Sequence, residues 1–186
     1  MGLIIRKFKR KLGRLILLLW LPKKSIGAEV GVWKGGFTKY IKFLVWPAKL
    51  HLIDPWLYDE NSELYCDSQQ RYDSVYDDVC ARFKSEISRG KFQLHRDLSH
   101  KALSVFDDNY FDWVYVDGDH RYEAVLQDLK ICCEKVRVGG YIVGDDYRKS
   151  TDAMQGVKRA VDEFVLGGKV IKTLVVNDQF ILKKIQ

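Results

Sequence analysis

From residue 25 onward, short β-rich apolar runs alternate with longer stretches of helical period, and that alternation admits few folds. Runs at 27–33, 50–54, 92–96, 111–117, 141–144, 170–175 and 180–183 read as strands. Segments 38–44, 69–87, 100–106, 122–136 and 151–166 carry helical periodicity. Strands fed by helices return parallel to one another through right-handed crossovers, so the pattern predicts a doubly wound α/β sheet of seven strands, mostly parallel. Only Val176, Asn177, Asp178 and Gln179 separate the last two strands. That is too short for a crossover, so the final strand is expected to run antiparallel, in a hairpin at one edge. A chain of 186 residues supports one such core.

The first 24 residues stand apart. They hold eight basic side chains (Arg6, Lys7, Lys9, Arg10, Lys11, Arg14, Lys23, Lys24) and no acid, whereas the remainder has 23 basic against 25 acidic residues. The net charge of +6 thus resides in a terminal segment, which argues against a nucleic-acid-binding face across the domain. Residues 1–24 are read as a basic amphipathic helix and 25–186 as the folded domain. At 100° per residue, Ile4, Ile5, Phe8, Leu12, Leu15, Ile16 and Leu19 share an arc of about 120° and the cations fill the rest. Two readings stay open: a helix making peripheral contact with an anionic membrane surface, or a leading helix packed on the domain with its charges solvated. The longest apolar run, Leu15 to Leu21, is shorter than a membrane span or a convincing secretory signal, so a cytoplasmic protein is expected. Four cysteines without metal-site spacing (Cys66, Cys80, Cys132, Cys133) read as reduced thiols.

In an open parallel sheet the ligand sits beyond the carboxyl ends of the strands, where strand order reverses. The first strand ends in GAEVGVWKGG, with Gly31, Gly35 and Gly36 where the backbone turns. Trp33 and Lys34 break the glycine spacing of a dinucleotide fingerprint, and a plain tight turn explains the pattern as well. The second strand ends in LHLIDPW, and its Asp54 is a carboxylate able to accept both ribose hydroxyls of an adenosine ligand, or simply to start a turn. The fourth ends in VDGDH and the fifth in GDDY. Asp117, Asp119, Asp145 and Asp146 on one rim would repel one another unless something positive sits among them. A hard divalent cation, Mg²⁺ foremost, meets that need; helix capping by Asp119 is the alternative for that residue. The irregular stretch 55–68 is a candidate lid, and its Trp56, Tyr58 and Tyr65 suit sugar stacking, core packing or a homodimer contact alike.

The segments GAEVGVWKGG, LHLIDPW, VYVDGDHRYEAVLQDL, GGYIVGDDY and GVKRAVDEF, in this order, resemble the class I S-adenosylmethionine-dependent methyltransferases. They are most similar to the small bacterial branch related to macrocin and other sugar O-methyltransferases, and the likeness spans about residues 25–184. The resemblance implies a Rossmann-like fold and S-adenosylmethionine as cofactor. It assigns Glu29, Gly31 and Gly35 to the methionine part and Asp54 to the ribose. Trp56 would wall the adenine, and Asp97, in the looser match RDLS, and Asp117 would also face the cofactor. It further assigns Asp117, Asp145 and Asp146 to a divalent metal. The general base would come from Asp119 or His120, the first favoured by resemblance and the second by its ordinary pKa. The implied reaction is methyl transfer to a hydroxyl of a sugar, glycan or small natural product, with a metal-independent enzyme and a non-catalytic, membrane-associated binder as alternatives.

Overall fold

The computed structural model describes residues 2–58, 68–147 and 155–186. The order of elements is α1 (Gly2–Trp20), β1 (Ile26–Val30), α2 (Gly36–Tyr40) running into a π-helical turn (Ile41–Val45), β2 (Lys49–Ile53), α3 (Gln69–Arg82) and α4 (Lys84–Ser88). Then follow β3 (Phe92–His95), α5 (Ser99–Ser104), β4 (Phe111–Val116), α6 (Tyr122–Lys135), β5 (Val136–Gly144), α7 (Gln155–Leu166), β6 (Val170–Val176) and β7 (Gln179–Lys184).

All seven strands form one sheet in the order β3-β2-β1-β4-β5-β7-β6. Strands β1 to β5 pair parallel, and β7 lies antiparallel between β5 and β6, joined to β6 by a two-residue turn, Asn177 and Asp178. The chain winds outward from β1 to β3, then returns to place β4 on the other side of β1. The order therefore reverses between β1 and β4, and their carboxyl ends open a crevice there.

Both faces of the sheet are covered, which is why its strands read as near-continuous apolar runs. Along β4, Val114 and Val116 pack into one core with Val125 and Leu129 of α6 and Val157 and Val161 of α7. Trp113 and Tyr115 alternate into the other, with Phe37, Ile41, Val79 and Phe83. Leu17 and Leu18 of α1, with Leu21 just after it, belong to that second core, so the amino-terminal helix is a structural part of the sheet's covering layer. Gly13 permits its close approach: a Cβ there would stand 2.8 Å from the Asn177 side chain and from the Val176 carbonyl.

Element boundaries differ from the expected ones where the backbone leaves extended geometry. The first strand stops at Val30 instead of running through Trp33, because Gly31 (φ 87°) and Trp33 (φ 49°) turn into the left-handed region. The helix expected over 69–87 breaks at Phe83, whose buried ring packs on Phe92. The fifth strand begins at Val136, five residues early, with Val136 pairing Phe111 before a register shift. Residues 59–67 of the candidate lid, with Tyr65 and Cys66, and 151–154 of the last helix lie outside the described residues. Among the described residues no helix is long and apolar enough to cross a membrane.

Candidate active site

A cleft of about 550 Å³ opens at the carboxyl ends of β1, β2 and β4. That volume suits a nucleoside-sized ligand. A larger concavity of about 790 Å³ beside Phe92 and Leu94 has only Lys49 and Lys84 as charged lining, and one of about 650 Å³ beside Asp108 and Lys184 lies at the other end of the strands. One wall of the cleft is built from Gly31, Val32, Trp33, Asp54, Pro55 and Leu57, with Leu98 and Ser99 beyond them; the other from Asp117, Asp119, His120 and Asp146. Arg10 and Arg14 of α1 also reach it.

The first wall is organised by local backbone chemistry. Gly31 is required by contact as well as by conformation, since a Cβ would fall 2.1 Å from the Asp117 carbonyl oxygen. The Trp33 amide donates to Asp54 Oδ2 and the Trp56 amide to Oδ1, both at 2.8 Å. Asp54 thus starts a turn and also fronts the cleft. Burial pushes its carboxyl above the ordinary range, against these backbone donors. Glu29 lies beneath this wall instead of on it. It is buried and accepts from Thr38 Oγ1 at 2.7 Å, while its Oε1 has no partner among the described residues. Burial raises it to about 8, opposed by the Thr38 hydroxyl.

Besides Glu29, three expected cofactor contacts fall away from the wall. Trp56 is fully buried, its indole N–H donating to the Trp33 carbonyl at 2.9 Å and its ring edge meeting Tyr76, so it supports the turn and does not wall a base. Asp97 is exposed and accepts from the Leu98 amide; its neighbours Leu98 and Ser99 face the cleft in its place. Gly35 (φ 65°) packs near Phe83 at the start of α2, and Gly36 reaches the cleft instead.

The second wall departs most from expectation. The positive charge that the acids demand is supplied from α1, more than 100 residues away in sequence. Arg14 Nη2 lies 2.6 Å from Asp117 Oδ2, and the same guanidinium bonds Asp145 through Nε at 2.8 Å. Arg10 donates to Asp145 at 2.8 Å and to Asp146 at 2.9 Å. Asp145 is fully enclosed by these two arginines and Gln179, and its Oδ1 also accepts the Asp146 amide.

His120 completes the cluster, 3.0 Å from Asp146 Oδ2 and 3.7 Å from Asp117 Oδ1. Those two carboxylates raise its imidazole to about 9 despite burial. The ligand atoms of Asp117, His120 and Asp146 lie within 4.8 Å of one another, so the group that could meet a cation contains His120 where Asp145 was expected. With α1 docked this set does not fit a divalent ion. Guanidiniums already hold an oxygen of each carboxylate and supply the positive charge that a cation would bring.

Asp119 is engaged by its neighbour Arg121. Partial burial opposes its ionisation, but Arg121, donating through its backbone N–H and through Nε at 2.8 Å, holds it below the ordinary range. His51 and His95 bond each other at 2.9 Å inside an aromatic cluster with Phe106, Tyr110 and Phe111, apart from the cleft. The site residues the sequence reading missed are Arg10 and Arg14. Their signal was present, as two arginines one turn apart on the side of the helix opposite its apolar arc, facing a cluster that needed cations.

A family model described as a methyltransferase domain matches residues 28–147, which takes in both walls of the cleft. An uncharacterized protein of Acanthamoeba polyphaga mimivirus is 32% identical over 128 residues, covering 50% of this chain and 58% of the viral protein. The chain thus spans little more than half the length of that relative. Solved structures share the fold at low identity. An O-methyltransferase from Bacillus cereus in complex with SAH has TM-score 0.61 and 16% identity, over 98% of this chain and 81% of that one. An rRNA methylase from Streptococcus thermophilus gives 0.60 and 16%, over 94% and 95%. The N-methyltransferase NodS from Bradyrhizobium japonicum gives 0.65 and 14%, over 97% of each chain.

Proposed function

The chain belongs to the methyltransferase-domain family, and on that premise we propose that it is an S-adenosylmethionine-dependent O-methyltransferase for a hydroxyl of a sugar, glycan or small natural product. The observation that carries the reading is one cleft with two unlike walls: a turn-bound carboxylate, Asp54, beside Gly31, and across from it an acidic wall with a single imidazole. When bound, S-adenosylmethionine supplies an electrophilic methyl on a sulfonium.

This chain's residues would do the rest. Asp54 is held by the backbone amides of Trp33 and Trp56, and its carboxylate oxygens can accept ribose hydroxyls. An acceptor hydroxyl held beside His120 must lose its proton as the methyl transfers, and the neutral imidazole is the group on the wall able to take it. Asp117 and Asp146 orient the ring and stabilise the imidazolium that results. Of the two expectations about metal, this reading adopts the independent one, because Arg10 and Arg14 already neutralise the acids. The hydroxyl class is supported by His120 on that wall, an imidazole placed to accept a hydroxyl proton.

Calorimetric titration with S-adenosylhomocysteine, together with methyl transfer to a panel of polyhydroxylated acceptors with and without EDTA, tests the proposal. Binding of the nucleoside and turnover insensitive to EDTA are expected. Failure to bind overturns the cofactor assignment; turnover abolished by EDTA overturns the arginine-neutralised site and restores the cation.

A further inference from the structure

Helix α1 buries the face that its hydrophobic pattern would not select. Toward the sheet it turns Gly13, Leu17, Leu18 and Leu21 together with Arg10 and Arg14. At 100° per residue the direction opposite that face falls on Phe8, Leu12 and Leu19, which are 68%, 42% and 64% exposed. Leu15 and Ile16 flank them half-buried, and Trp20, 46% exposed, closes the stripe at the helix end. The apolar arc that ordinarily seats a helix on its domain therefore points into solvent, while the arginines have been drawn inward.

We propose that this outward face of α1 is a docking surface for an anionic lipid bilayer, with the helix lying in the membrane plane. Charge selects the occupant. Lys9 and Lys11 are exposed on either side of the stripe, Lys23 and Lys24 are exposed just beyond its end, and residues 1–24 contain no acid. Leu and Phe side chains entering the acyl boundary, a Trp at the interface and lysines at headgroup phosphates are the elements of an in-plane amphipathic anchor. A second copy of the same face would set lysines against lysines, which disfavours self-pairing. The neighbouring π-helical turn adds exposed Phe43, with Lys42 above its ring, and Lys11 lies over Tyr40 of α2. Because Arg10 and Arg14 line the cleft from the opposite side of the helix, docking would hold the cleft about one helix diameter, ~10 Å, from the lipid surface.

Sedimentation of the full chain with vesicles of phosphatidylcholine alone, and of phosphatidylcholine mixed with phosphatidylglycerol, tests the assignment. The protein is expected to pellet with the mixed vesicles, weakly with the zwitterionic ones, and less as salt is raised. Leu12→Glu/Leu19→Glu should reduce binding about tenfold or more with an unchanged thermal midpoint, because both side chains already face water. Lys9→Ala/Lys11→Ala should weaken it about fivefold per lysine. Phe8→Ser, at the most exposed of these positions, provides a second, milder variant. Native protein remaining in the supernatant with mixed vesicles, or glutamate variants binding undiminished, would overturn the proposal. So would a dimer seen by light scattering that Leu12→Glu/Leu19→Glu dissolves, since it would assign the face to a second copy.

Discussion

The two walls of the cleft are held by different means. At the tips of β1 and β2 the chain satisfies itself over short distances: Asp54 binds backbone amides 2 and 21 residues away, and Gly31 turns where the strand must end. At the tips of β4 and β5 the acids are held by guanidiniums 103 to 136 residues away, on a helix that precedes the sheet. The first wall therefore depends on turn geometry alone, while the second exists in this form only while α1 is docked. A hard-ion site and an arginine-neutralised site look alike as a run of aspartates; the location of the nearest cations separates them.

That contrast can be broken first at His120. Below its raised value of about 9 the imidazole is protonated, so the basic form gains about tenfold per unit between pH 7 and 9. The rate at low acceptor concentration should rise with pH over that window and level off above it. His120→Asn should lower it about 10²–10⁴-fold and flatten the profile, as measured in initial rates across pH. Next, Arg14→Ala strands the Asp117 and Asp145 carboxylates and should cost about 3 kcal/mol in denaturant unfolding. Arg14→Lys should restore only part of this, because an ammonium cannot fork between two carboxylates.

On the other wall, Asp54→Ala should weaken S-adenosylhomocysteine binding about 10- to 100-fold by calorimetry, with a smaller effect on folding than Arg14→Ala. The smallest effect is expected beneath that wall. The Glu29 carboxyl releases its proton near 4.5 when unfolded but near 8 when folded, so the folded state holds the extra proton between those values and stability falls as pH rises through them. Glu29→Gln should remove this slope and raise stability at pH 8 by on the order of 1 kcal/mol, read from thermal midpoints at pH 5 and pH 8. A Glu29→Gln protein that keeps the slope would show that another buried acid, such as Asp128 at about 6, dominates it.

The strand-and-helix alternation made the sheet, its mostly parallel sense and the antiparallel last strand legible, because a strand covered on both faces must be apolar at successive positions. Gly31, Asp54, Asp117 and His120 were legible as residues of one cleft because strand tips of this fold converge. Trp56 and Asp97 misled: an aromatic or an acid after a strand tip can turn inward or outward, and one left-handed residue decides which, as φ 40° at Trp56 illustrates. The basic helix misled in another way. Its hydrophobic arc was visible in the sequence, but periodicity carries no information about which side meets the domain when two arginines have buried acids to reach.

The order of apolar runs, turn residues and acids along the chain determined by itself that a doubly wound sheet would form and that carboxylates would gather at its central tips, since both follow from periodicity and from where strands end. Only the tertiary structure decided what neutralises those carboxylates and which side of α1 is left to solvent. Ion pairing between segments so far apart depends on where a helix comes to rest, a property of packed surfaces that local sequence does not encode.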